Sequence, residues 1–199
     1  MTVDLDVTEP DKPNGISLGW RLRETAEVFT NKVLKARVDE IDVRGKPTQY
    51  AYIERAQAVV IVPVTRDGQI ATVEQYRYPI DEWCIEIPAG GTHDTGDESL
   101  REVVRKELRE EIGATSSVLT YVNFFYSGPS LSDEICHVFL AENVEVTEEP
   151  STEATEEIRV KMMDAEDVLK LARSGKMKNG PCTLALLLCE PLLRERGYL

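Results

Sequence analysis

The chain has 199 residues, 42% of them hydrophobic, and a formal net charge of −13. That length and apolar content suit a globular protein of one domain with a sizeable core. The acidic balance argues against nucleic acid or an anionic membrane surface as a partner, yet leaves room for a phosphate-bearing small molecule whose site a divalent cation makes locally positive.

Residues 1–17 read as a loose polar tail, too acidic for a signal peptide. From Trp20 to Val43 the pattern predicts two strands, EVFTN and VLKARVDEIDV, with GKP at 45–47 as the turn that follows. Residues 18–55 are therefore expected to form a strand extension ahead of a main domain at 56–199. AQAVVIVPVT and QIATVEQYRY read as strands joined by the turn RDG, and IEIPAGG as a short strand running into a glycine turn. The loop THDTGD leads to a helix from Glu98 to Ile112, closed by Gly113. LTYVNFFYS and EICHVFLAENV are two more strands around the loop GPSLSD. TEEPSTEATEE is a charged loop, EIRVKMM a strand, and Asp164 the cap of a helix through Arg173. A terminal helix spans Asn179 to Gly197 and is expected to kink or end near Pro191. The fold class is mixed α/β around one sheet system. The four cysteines, Cys84, Cys136, Cys182 and Cys189, show no C-x-x-C spacing and read as reduced core thiols of a cytoplasmic protein. No apolar run is long enough to span a bilayer.

The helix at 98–112 carries the informative pattern. At about 100° per residue, Leu100, Val103, Val104, Leu108 and Ile112 define an apolar arc, and Glu107 and Glu111 fall inside it. Glu102, Arg105, Lys106 and Arg109 avoid the arc, and Glu110 sits on its margin. A solvated charged helix would not put two carboxylates, one turn apart, on its buried face. Desolvating them unpaired is costly. A hard cation such as Mg²⁺, bound by carboxylate oxygens together with substrate phosphates, is the counter-charge that fits.

The same stretch resembles the box of the Nudix hydrolases, G-x5-E-x7-R-E-U-x-E-E-x-G-U, where U is a bulky aliphatic residue. The match holds at Glu98, Glu107, Leu108, Glu110, Glu111 and Gly113. Lys106 replaces the arginine, Ala114 is smaller than the usual aliphatic, and Thr92 stands where the opening glycine belongs, beside Gly90 and Gly91. The flanking segments EQYRYPIDEWCIEIPAGG, FYSGPSLSDE and SGKMKNGPCTLALL are similar to the branch of ADP-ribose and nucleotide-sugar pyrophosphatases. In that branch Ser-Pro-Gly is usual, whereas this chain has Ser-Gly-Pro ending at Pro129.

The resemblance implies an α/β/α sandwich around a mixed sheet, with an N-terminal strand extension, and an enzyme that uses water and Mg²⁺, or Mn²⁺ in its place, to cleave a diphosphate. It implies metal ligation by Glu107, Glu111 and Glu110 and by the main-chain carbonyl of Ala89, and a general base in SLSDE, Glu134 first and Asp133 second. Arg77 is expected to bind phosphate and Glu86 to support the metal turn. Glu98 is expected to brace the start of the helix, with Lys106 and Gly113 as structural members of the box. Glu54 and Arg55 either reach a substrate or form an edge-strand ion pair. Trp83 either stacks on a base or belongs to a core or interface, and His93 and His137 are expected to be structural.

The leading reading is hydrolysis of ADP-ribose, a nucleoside diphosphate derivative, to AMP and ribose 5-phosphate. GDP-sugar hydrolysis and nucleoside triphosphate pyrophosphatase activity are the alternatives within the enzyme class, and a silent nucleotide-sensing module is the alternative outside it. The resemblance also implies a homodimer built with residues 20–54, the extension completing the partner's substrate pocket.

Overall fold

The computed structural model describes residues 12–93, 96, 98–152 and 157–199. They fall into two units: one runs to Arg55 and takes in Ser130–Ser132, the other comprises Ala56–Pro129 and Asp133–Leu199. Of the expected loose tail, residues 1–11 lie outside the described residues, as do Asp94, Thr95 and Asp97 of the THDTGD loop and residues 153–156 of the acidic loop.

The first unit holds one helical turn, α1 (Pro13–Ser17), and three strands, β1 (Trp20–Thr30), β2 (Leu34–Val43) and β3 (Lys46–Arg55). The end of the expected tail is thus helical, opened by Pro13 at a position where its missing N–H has no helical partner to lose. The strands form an antiparallel sheet in the order β1-β2-β3. The two strands expected between Trp20 and Val43 are β1 and β2, a third strand that was not expected follows them, and the turn between β2 and β3 lies earlier than GKP. Arg44 and Gly45 have φ of 54° and 84°, the paired left-handed residues of a tight hairpin, and Asp42 Oδ1 accepts the Gly45 N–H at 2.5 Å. Lys46 and Pro47, read as turn residues, open β3. At the other hairpin Asn31 Oδ1 accepts the N–H groups of Val33 and Leu34 at 2.8 and 2.9 Å. Ile53 N–H donates to the Leu131 carbonyl at 2.8 Å, which ties 130–132 to β3.

The second unit contains β4 (Ala58–Val64), β5 (Gln69–Arg77), β6 (Glu82–Glu86), β7 (Ala89–Gly91), α2 (Leu100–Ile112), β8 (Ala114–Thr115), β9 (Val118–Tyr126), β10 (Ile135–Glu142), β11 (Glu145–Val146), β12 (Ile158–Asp164), α3 (Ala165–Arg173) and α4 (Gly180–Glu195). The seven-stranded sheet runs β12-β5-β4-β10-β9, with β6 added to β5 and β7 to β4. β10 lies parallel to β4, and the other pairings are antiparallel, so the sheet is mixed. β4 shows why its sequence is an unbroken apolar run. Val59 and Ile61 pack with Val103, Val104, Leu108 and Ile112 of α2, while Val60, Val62 and Val64 pack with Val168 and Leu169 of α3 and Ala185, Leu186 and Leu193 of α4. A strand covered on both faces needs no alternation. Each fully buried leucine or isoleucine here contributes about 1.5–3 kcal/mol.

Three local expectations change. The glycine turn after IEIP is itself a strand, β7, paired with β4 through Ala89↔Val60 and Gly91↔Ala58. Asp164 occupies the N-cap position of α3 without a side-chain cap bond, and Glu166 and Asp167 supply the negative charge of the first turn. α4 runs through Pro191 to Glu195, because Leu193 beyond the proline is fully buried and Arg194 Nε bonds Glu190 Oε1 at 2.8 Å. All four cysteines are free and buried. Among the described residues no helix is long and apolar enough to cross a membrane.

Candidate active site

α2 is fixed at both ends. Ser99 and Glu102 form a reciprocal capping box, Glu102 Oε2 accepting the Ser99 N–H at 2.7 Å. Glu98, expected to brace this end, is exposed just before the cap. At the far end Gly113 is left-handed, with φ of 62°, and its N–H donates to Arg109 O at 3.0 Å. A side chain there would also strike the Glu148 carbonyl. The segment after β11 is tied to this end, Thr147 and Glu148 donating to Gly113 O at 2.9 and 3.1 Å and Ser151 to Glu110 O at 2.8 Å.

Between these caps the helix presents its carboxylates as its angular pattern requires. Glu111 is buried, at 4% exposure, beside Val104, Leu108 and Ile112. Glu107 and Glu110 are half-buried, as is Lys106. Facing the helix is the main chain from Glu86 to Gly91. Ala89 N–H donates to Glu111 Oε2 at 3.2 Å. The Glu107 carboxylate lies against Gly90 so closely that an added Cβ would overlap it. Glycine at 90 is needed for this approach alone, since its φ is not left-handed.

The rest of that segment is held from other elements. Ile61 N–H donates to Pro88 O at 2.9 Å, and Thr92 N–H to Gln57 O at 2.8 Å. The Cys182 thiol of α4 lies 3.6 Å from Ile87 O, and burial keeps that thiol protonated by holding it far above the ordinary cysteine value. Arg77, at the end of β5, grips Glu86 with two parallel bonds, Nε to Oε1 at 2.8 Å and Nη2 to Oε2 at 2.5 Å. Glu86 is 1% exposed. Its hydrogen bonds raise the guanidinium further above the ordinary arginine value, and the charge of Glu111 adds to the rise.

Among the described residues no three His, Cys, Asp or Glu side chains are gathered into a ligand cluster. Two carboxylates of α2 meet the start of β7, Glu107 against Gly90 and Glu111 on the Ala89 N–H. That set fits a hard, oxygen-preferring ion that completes its shell with main-chain carbonyls, water and phosphate oxygens.

The remaining candidates are placed as follows. Glu134 is buried where β10 begins, its carbonyl accepting Ser127 N–H at 3.2 Å, and Asp133 before it is exposed. Glu54 and Arg55 belong to the first unit. The Glu54 carboxylate bonds Arg37 Nη1 at 2.6 Å and Lys35 Nζ at 3.1 Å across β2 and β3, and these cations, Arg37 first, hold it below the usual carboxylate range. Trp83 is 41% exposed, with the Arg159 guanidinium 4.0 Å above its ring, so of its expected places the core is excluded and base stacking or an interface remains. His93 is exposed. The His137 ring bonds Gln57 Oε1 at 2.9 Å and the Tyr121 hydroxyl at 3.3 Å, and desolvation lowers its pKa. Sequence reasoning found the carboxylates but missed the fork of Arg77 on Glu86 and the thiol of Cys182 on Ile87. It also passed over the capping box, which the spacing S-x-x-E did signal.

Comparison with known proteins adds to this geometry. Residues 54–182 match the family model described as NUDIX domain. An ADP-ribose pyrophosphatase of Bacillus subtilis (strain 168) is 36% identical over 163 residues, which cover 80% of this chain and 86% of that protein. A methanol dehydrogenase activator of Bacillus methanolicus is 30% identical over 122 residues, covering 61% and 65% of the two chains. A crystal structure of an ADP compounds hydrolase superposes with a TM-score of 0.77 over 90% of this chain and 97% of that one, at 18% identity, which speaks for the fold.

Proposed function

The chain belongs to the NUDIX family and is a hydrolase of that family, and from that premise we propose that it cleaves the diphosphate of ADP-ribose to give AMP and ribose 5-phosphate, with Mg²⁺ or Mn²⁺. The observation that carries this reading is the meeting of the Glu107 and Glu111 carboxylates on Ala89 and Gly90 of β7. The similarity to the Bacillus subtilis pyrophosphatase, across most of both chains, supports the choice of substrate.

Glu107, Glu111 and the Ala89 carbonyl would hold the cation, with Glu110 as a further donor. When bound, the cation supplies Lewis acidity and neutralises charge on the diphosphate oxygens. The protein's residues perform the rest. The 87–92 segment orients the cation site, because its peptide groups are fixed by Ile61, Cys182, Glu111 and Gln57. Glu134 takes the proton from the attacking water. A phosphorus–oxygen bond to the water forms as the bridging phosphorus–oxygen bond breaks. Asp133, exposed beside Glu134, is the second choice for the base.

We further propose a homodimer formed through the first unit, whose Trp20, Val28, Phe29 and Tyr50 are exposed; sedimentation equilibrium of the full chain tests it, and a monomer of normal activity would reject it. The four reduced, buried cysteines support a cytoplasmic setting. The function itself is tested by a panel of ADP-ribose, GDP-mannose, diadenosine compounds and nucleoside triphosphates with Mg²⁺. Preferred turnover of ADP-ribose is expected. A preference for GDP-mannose or a triphosphate would reassign the substrate, and binding without turnover would make the chain a nucleotide sensor.

A further inference from the structure

Arg77 is the cation in this region that a sequence reading assigns to substrate phosphate. Its geometry argues for a different use. Nε and Nη2 are both engaged by Glu86, at 2.8 and 2.5 Å, in the parallel two-bond arrangement that arginine forms with a carboxylate. The side chain of Glu86 is 1% exposed, that of Arg77 39%, so the pair runs from the interior of the second unit towards its surface. A carboxylate so fully buried is costly to keep, and an apolar pair of similar volume would often serve stability equally well. The position of Glu86 supplies the reason for keeping it. It is the last residue of β6, directly before the peptide units that meet Glu107 and Glu111. The Ile87 side chain is packed in the core, and the hydrogen bonds described on the segment after Glu86 act through its main chain: Cys182 on Ile87 O, Ile61 on Pro88 O, Glu111 on Ala89 N. Arg77 instead grips a side chain, that of Glu86 where β6 ends, with a charged two-bond pair, and so bears on the direction in which the chain leaves β6.

We propose that Arg77 and Glu86 are positioning residues: their two-bond clamp orients the 87–91 segment so that it and the two helix glutamates make one cation site, and Arg77 does not serve as a ligand of substrate phosphate. The proposal rests on the diphosphate-hydrolase reading of the same site.

The test is Mn²⁺ binding to the full chain without substrate, read by electron paramagnetic resonance of the free ion, for wild type, Glu86→Gln and Arg77→Lys. It is paired with kcat and KM for ADP-ribose at saturating Mn²⁺. Glu86→Gln keeps the shape and loses the charge, while Arg77→Lys keeps the charge and loses the fork. The expected result is a Mn²⁺ dissociation constant raised about 10- to 100-fold in both variants, with KM at saturating metal within about twofold of wild type. An unchanged Mn²⁺ affinity with a raised KM would make Arg77 a phosphate ligand and overturn the proposal. A lowered melting temperature with an unchanged Mn²⁺ isotherm would make the clamp purely structural, and overturns it as well. If Glu86→Gln does not fold, Arg77→Lys decides by the same criteria. A wild type that binds Mn²⁺, with both variants weakened, but cleaves no diphosphate would sink the hydrolase reading and leave the clamp standing. A wild type that binds no Mn²⁺ would sink the clamp.

Discussion

The Glu107 carboxylate occupies the space where a side chain at position 90 would begin. Gly90→Ala must therefore move either the carboxylate or the β7 strand. Its backbone conformation suits alanine, so the protein should fold with an unchanged circular dichroism spectrum. The displaced carboxylate should lower kcat by about 10²-fold, the usual effect of a misplacement on the order of an ångström. Retained turnover in Gly90→Ala would show that Glu107 need not lie against the turn.

Glu111→Gln separates charge from shape. The amide oxygen can still accept the Ala89 N–H that Glu111 Oε2 now accepts at 3.2 Å, so the turn should persist. With the charge lost, kcat should fall by about two orders of magnitude or more, in keeping with several kcal/mol of charge stabilisation in the transition state. Turnover by the wild type should vanish with excess chelator and return with Mg²⁺ or Mn²⁺. Full activity of the chelated enzyme would refute the cation site.

Glu134→Gln should reduce kcat about 10²–10⁴-fold with little change in substrate binding, as for loss of a general base. Asp133→Asn, at an exposed position, should have a small effect. The reverse ranking would move the base by one residue, and normal rates in both variants would place it elsewhere.

The Glu54 ion pairs give a pH signature. Arg37 and Lys35 hold the folded carboxylate below its ordinary value of 4.5, so the unfolded chain binds the proton more readily. The stability they contribute is full above that value and is lost as pH falls through the lower, folded one. Comparing wild type with Glu54→Gln in urea, the stability gap should be constant from pH 7 to about 5 and should close below pH 4.5. A gap independent of pH would mean that the pairing is not ionic.

What could be read in advance follows from the range of the forces involved. α2 was legible because Leu100, Val103, Val104, Leu108 and Ile112 fix a helical phase within one short segment, and Glu107 and Glu111 violate it together. The β2–β3 hairpin was misread because GKP is a strong turn signal, while the residues that adopt positive φ are Arg44 and Gly45, and arginine is rarely left-handed. The clamp of Arg77 on Glu86 was not legible, since it depends on how the β5–β6 hairpin aims two side chains from different strands. Cys182 on Ile87 lay further out of reach, because the thiol arrives from α4 near the end of the chain. Pro191 was overweighted for a related reason: the helix continues past it because Leu193 is buried in the core.

The parallel pairing of β4 with β10 also governs the order of assembly. Ala58 meets its parallel partner only when Cys136 arrives, and Val64 only with Glu142. On the ribosome the hairpins and α2 are synthesised well before that pairing can form, and the layer of α3 and α4 comes later still. Joining segments so distant in sequence slows folding relative to a chain of local contacts. During that interval the face of β4 that carries Val60 and Val62, which α3 and α4 cover, lies exposed, so the nascent chain is most prone to aggregate then. Refolding from denaturant should share this bottleneck, with yield falling as protein concentration rises.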